Sequence, residues 1–182
     1  MLAIPLESPI LSEDKKAVKG TLLRWEEGRD MTLTPAQTRW TDQMGTHWPS
    51  LWAVINKTTK KLRSPVASFT WRLLNMCLPW NTREACPLCH NPTSSASHLF
   101  LECKLTTDLY SPPPLQGILT QPHNSGQQLK LLVLAVWSQW KLITWIKHHP
   151  KVNVSKLDRF AFAHSALDEE IERALATGWW QE

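Results

Sequence analysis

The sequence predicts an all-α domain of about six helices, closed by one small knuckle and preceded by a short irregular lead-in. Three observations predict it. Apolar residues recur at helical spacing in successive segments. Several segments open on helix-start chemistry, such as Thr34-Pro35, Ser64-Pro65 and Ser155 with Asp158. Cys86, Cys89, His98 and Cys103 stand at spacing C-x2-C-x8-H-x4-C, which brings four ligand-type side chains into one short stretch.

Residues 1–32 read as a lead-in or connector. Pro5 and Pro9 precede a charged stretch through Lys19 and Gly20, Leu22–Trp25 forms a short strand or turn, and 28–32 is a loop. A helical domain is expected over 33–110. Its first helix starts at Thr34, with Pro35 at the first helical position, Trp40 and Met44 on one face, and Gly45 as the stop. Pro49 and Ser50 open a second helix, with Leu51, Trp52 and Ile55 inward.

Lys57, Lys60, Lys61 and Arg63 then make the densest basic run in the chain. Such a run is either a solvated linker or a loop that contacts phosphates. Ser64-Pro65 opens a third helix, with Phe69, Leu73 and Met76 at helical spacing, Trp71 and Leu74 widening the apolar face, Cys77 as a buried packing residue and Pro79 as the end. A helix carrying His98 is expected to continue through Cys103 towards Tyr110, burying Leu99 and Phe100 against the helix before it. Pro112-Pro113-Pro114 breaks that helix, and 111–126 reads as a Pro-rich loop.

A C-terminal helical hairpin is expected over 127–182. Its first helix, from Gln127 to about Lys147, is rich in Leu and Trp and ends at His148-His149-Pro150. Its second starts at Ser155 and Asp158. Leu157, Phe160, Ala161, His164, Leu167, Ile171 and Leu175 trace its inner stripe, and Glu169, Glu170 and Glu172 a solvated face. Trp179-Trp180 either docks on the body or meets a partner.

The knuckle carries the chemistry. Three thiols and an imidazole are a closed structural ligand set for tetrahedral Zn2+, and Pro87 stiffens the turn between the first two. His90 could compete with His98, but it directly follows Cys89 and closure would be awkward. Four protein donors leave no position for a reacting water, so the metal reads as a staple and the chain as no enzyme. None of the seven histidines begins an H-x-E, so the pattern of a zinc deaminase is absent. No nucleophile–base pair or phosphate-cradling glycine loop stands out, and no small-molecule substrate is expected.

The net charge of +4 and pI of about 9.0 permit contact with nucleic acid. The longest apolar run, Leu131–Trp137, is too short to cross a bilayer, and no signal pattern opens the chain. Neither membrane contact nor secretion is therefore expected. Eleven tryptophans beside one tyrosine are either core residues or base-stacking platforms.

Residues 65–103 resemble the zinc-binding region that follows the polymerase in non-LTR (LINE-type) retrotransposon reverse transcriptases. The resemblance lies in Phe69, Trp71-Arg72-Leu73-Leu74, Leu78-Pro79, Cys86-Pro87-Leu88-Cys89, His98-Leu99-Phe100 and Cys103. Two departures stand out. Ser94-Ser95-Ala96-Ser97 replaces the Glu many members carry before the His, and Tyr110 is the nearest aromatic after the last Cys.

The resemblance implies zinc on Cys86, Cys89, His98 and Cys103. It also implies a grip on RNA or target DNA by a fragment without the polymerase, and an intracellular, nuclear setting. Lys57, Lys60, Lys61, Arg63 and Arg72 are the candidate nucleic-acid contacts. The competing expectation is a zinc-stapled scaffold that uses its Trp-rich helices to bind a protein partner.

Overall fold

In the computed structural model the described residues are 33–59, 62, 64–79, 84–120, 126–150, 152 and 155–179. The chain divides after Thr34, and the described helices belong to the larger unit, Pro35–Glu182. The lead-in over 1–32 lies outside the described residues. Among the described residues the protein is all-α, as expected, with no strand.

The first helix, α1, spans Pro35–Met44. It ends as expected at Gly45, whose φ of +66° is open to glycine at no steric cost and whose N–H reaches the Thr41 carbonyl at 2.8 Å. Trp40 is wholly buried and its indole N–H donates to the Leu74 carbonyl at 3.0 Å. Helix α2 is Trp48–Thr59, with Leu51, Trp52 and Ile55 buried as the spacing implied.

Helix α3, Ser64–Leu74, stops earlier than Pro79 would make it. Met76 takes a left-handed conformation (φ 51°), and the bonds Met76 N–H to Leu73 O and Cys77 N–H to Arg72 O close a Schellman turn. Cys77 therefore leaves the helix and is exposed, where a buried packing residue was expected.

A π-turn, π1, covers His98–Glu102, and a separate short helix, α4, covers Lys104–Leu109. The continuous helix expected from His98 to Tyr110 is thus broken at Cys103, whose backbone is extended (φ −61°, ψ 125°). Helix α5, Pro114–Thr120, occupies part of the stretch read as a loop, with Pro114 at its first position, where a missing N–H costs nothing. Its Gly117 lets α5 approach closely, since a Cβ there would sit 3.1 Å from the Leu132 side chain.

Helix α6, Gly126–His148, is the hub, and it contacts α2, α3, α5 and the last helix, α7, Lys156–Ala176. Phe69 of α3 lies 5.2 Å from Trp137 and 5.7 Å from Trp140, ring centre to ring centre, and 6.1 Å from Phe100 of π1. This aromatic cluster ties α3, α6 and π1 together. By length and composition α6 is long and apolar enough to cross a membrane, contrary to the expectation drawn from Leu131–Trp137. In this fold 56% of its most apolar window is buried inside the protein.

Helix α7 starts at the expected capping box, with Ser155 and Asp158 each bonding the other's backbone N–H. Its inner stripe is not the expected one. Leu157 and Leu175 are 79% and 51% exposed, and Ala161 and His164 are exposed too. The buried face is Ala163, Ala166, Glu170 and Ala174. Small side chains let α7 lie close against α6, so the alanines and not the leucines mark the seam. Glu170, expected in solvent, is buried and takes Lys141 of α6 at 3.1 Å and Arg173 at 2.8 Å.

Candidate metal centre

The ligand atoms of Cys86, Cys89, His98 and Cys103 all lie within 4.8 Å of one another, and the four can hold a metal ion. Cys86 Sγ is 3.9 Å from Cys103 Sγ, and Cys89 Sγ is 3.3 Å from His98 Nε2. A tetrahedral zinc, with bonds of about 2.3 Å to sulfur and about 2.0 Å to nitrogen, asks for edges of about 3.8 Å and about 3.5 Å. The donor set fits such an ion in type and number, and the Cys86–Cys103 and Cys89–His98 edges fit it in length. Cys86 and Cys103 are fully buried and His98 is 6% exposed, while Cys89 is half-buried at the edge of the cluster.

Two backbone turns present the ligands. In the first, the Cys86 N–H bonds the Asn91 carbonyl at 2.7 Å and the His90 N–H bonds the Cys86 carbonyl at 2.8 Å, folding 86–91 back on itself. His90 takes φ 60° and points out to solvent, so it stands outside the cluster and His98 is the imidazole partner.

The second turn is π1. On an α-helix, residues five apart differ by about 140° around the axis. His98 and Cys103 could not both face one ion from such a helix. The i to i+5 bond from the Cys103 N–H to the His98 carbonyl, 2.7 Å, widens the turn and brings them round to the same side. Ser95 sets the start of this turn: its Oγ accepts the His98 N–H at 3.1 Å. Ser94 is fully buried and donates to the Glu84 carbonyl at 2.6 Å. The serines that depart from the resembling pattern therefore hold the approach to His98.

The sulfurs of Cys86 and Cys103 are paired, and the hydrogen bond with Cys103, together with burial, keeps the Cys86 thiol well above the usual range. Cys103 is pulled down to about 5, first by accepting from Cys86 and then, against its burial, by the amides of Leu105 and Thr106 at the start of α4. One thiolate is thus favoured in place, and a bound metal ion would displace the remaining proton of the pair.

The surrounding polar groups were missed from the sequence. The Leu99 carbonyl in π1 accepts from Thr106 Oγ1 at 2.7 Å and from Gln139 Nε2 at 2.8 Å. Arg159 Nη1 donates to the Leu88 carbonyl in the first turn at 2.9 Å. The available signal was Gln139 itself, an amide in an otherwise Leu-, Val- and Trp-rich helix. Buried amides persist where they are bonded.

Two of the five candidate nucleic-acid contacts lie among the described residues. Lys57 is exposed in the last turn of α2, and Arg72 is half-buried in the last turn of α3. Lys60, Lys61 and Arg63 lie outside the described residues. Every described tryptophan is buried or half-buried, so these rings serve the core first. No family model, curated protein or solved structure matches this chain.

Proposed function

We propose that the chain is a non-catalytic zinc-binding module that contacts RNA or DNA, of the kind that follows the polymerase in LINE-type reverse transcriptases. The observation that carries the metal reading is the convergence of four ligand atoms, from residues up to 17 apart, within 4.8 Å of one another. Zinc suits this set because three thiolates and an imidazole complete its tetrahedron without water. The ion then serves as a cross-link between the two turns. With three thiolates the centre carries a net charge of about −1, so phosphate attraction falls to nearby Lys and Arg.

The nucleic-acid reading rests on the resemblance over 65–103, the net charge of +4 and the basic run that starts at Lys57. The scaffold reading has less to support it. Trp179 is 3% exposed and its indole donates to the Thr58 carbonyl, and most of 131–145 faces the interior.

Elemental analysis of the reduced protein tests the first half. The expected result is one zinc per chain, lost in His98→Ala, and a metal-free protein would overturn it. Binding to RNA and to duplex DNA across a salt series tests the second half. Affinity should fall steeply with salt, and replacing Lys57, Lys60, Lys61 and Arg63 by Ala should flatten the slope by about one unit for each phosphate contact removed. Salt-independent binding, or none, would overturn it.

A further inference from the structure

We infer that the metal centre extends beyond 86–103 to two side chains of the last two helices, Gln139 of α6 and Arg159 of α7, which hold the turns that present its ligands. This rests on the metal reading proposed above.

Neither turn is finished by its own segment. In π1 the Leu99 carbonyl lies directly after His98 and is taken by two side-chain donors, Thr106 and Gln139. Gln139 Nε2 also donates to Thr106 Oγ1 at 2.8 Å. One amide, 1% exposed, thus fixes both the π-turn that carries His98 and the start of α4 just beyond Cys103.

In the first turn the Leu88 carbonyl takes the Arg159 guanidinium. That carbonyl belongs to the peptide unit that joins Leu88 to Cys89, so the guanidinium holds the backbone directly before that ligand. The two supports meet in space: Leu88, Leu105, Thr106, Gln139, Arg159 and Phe160 line one cavity of about 10 Å³.

Gln139 and Arg159 are positioning residues. They do not touch the ion, yet an uncorrected turn would spread four donors that must converge within a few tenths of an ångström. Their sequence distance from the ligands, 40 residues from Leu99 and 71 from Leu88, makes metal binding a property of the whole helical unit.

The test is titration of the full chain with Co2+ under reducing conditions, reading the thiolate-to-cobalt absorption and the bands of tetrahedral cobalt. Arg159→Ala and Gln139→Met should each weaken cobalt binding by about 10- to 100-fold and alter the band shape. Arg159→Lys, which keeps a donor, should restore part of the affinity. Ser138→Ala, a buried change one residue away on α6, should leave the cobalt spectrum as it is.

If Gln139→Met does not fold, the Arg159 pair decides. Binding by Arg159→Ala equal to that of the parent chain, with only the stability of the metal-free protein reduced, would overturn this inference and leave the metal reading standing. No thiolate-to-cobalt absorption in the parent chain would overturn both.

Discussion

Tyr110 shows how one side chain reports on the fold. Its hydroxyl meets Ser138 Oγ of α6 at 3.2 Å, and burial raises its phenol above the ordinary value of 10.0 despite that bond. The folded state therefore keeps the phenol proton at a pH where the unfolded state gives it up. The stabilisation is whole below about pH 10 and is lost as pH rises from there through the folded value. Tyr110 is the one tyrosine in the chain, so tyrosinate absorbance reads it alone. The expected titration midpoint in the folded protein lies above that of the same chain in denaturant, and coincident midpoints would refute the buried placement. At the candidate metal centre, His98 matters through its backbone as much as its ring, because the π-turn is what turns its imidazole towards Cys89 Sγ.

The two C-terminal helices are joined by a feature that helical periodicity hid. Glu170 is 3% exposed on the alanine face of α7, between Lys141 of α6 and Arg173 of its own helix. Surface ion pairs contribute little, but a buried carboxylate with two charged donors is worth more per bond. Glu170→Ala should destabilise the fold by about 2 kcal/mol. Glu169→Ala, whose exposed carboxylate meets Arg173 at 3.1 Å, should cost about 0.5 kcal/mol or less. Denaturant unfolding of the two variants checks this, and equal losses would place Glu170 in solvent after all. The same helix begins where its sequence says it should, since the Ser155–Asp158 box needs no distant partner.

For the molecule as a whole, α6 decides what can fold alone. Phe69 and Phe100 find their neighbours Trp137 and Trp140 there, and the ligand-bearing turns find Gln139 and, through α7, Arg159. A chain ending at Thr120 should accordingly show no cooperative unfolding transition, with zinc or without it, whereas the full chain should gain stability when zinc is added. Calorimetry on both chains tests this, and a cooperative transition in the shorter one would make 33–110 a domain in its own right. Acid should release the metal from the full chain, because protons compete for three thiolates and an imidazole.

The sequence alone determined what depends on neighbours within a few residues. Thr34-Pro35 and Gly45 bracket α1, Ser155 and Asp158 open α7, and the spacing of Cys86, Cys89, His98 and Cys103 names the four side chains that converge as candidate ligands, because caps, glycine turns and ligand chemistry are local. The tertiary structure decided the rest. Which face of α7 is buried depends on how close α6 lies, and alanines won over leucines there. Whether His98–Cys103 forms an α-helix or a π-turn depends on side chains from α4 and α6 that bond the Leu99 carbonyl. Where Trp179 goes depends on a carbonyl at Thr58, 121 residues earlier. Each of these is a choice between local conformations of similar energy, and long-range hydrogen bonds and burial select among them.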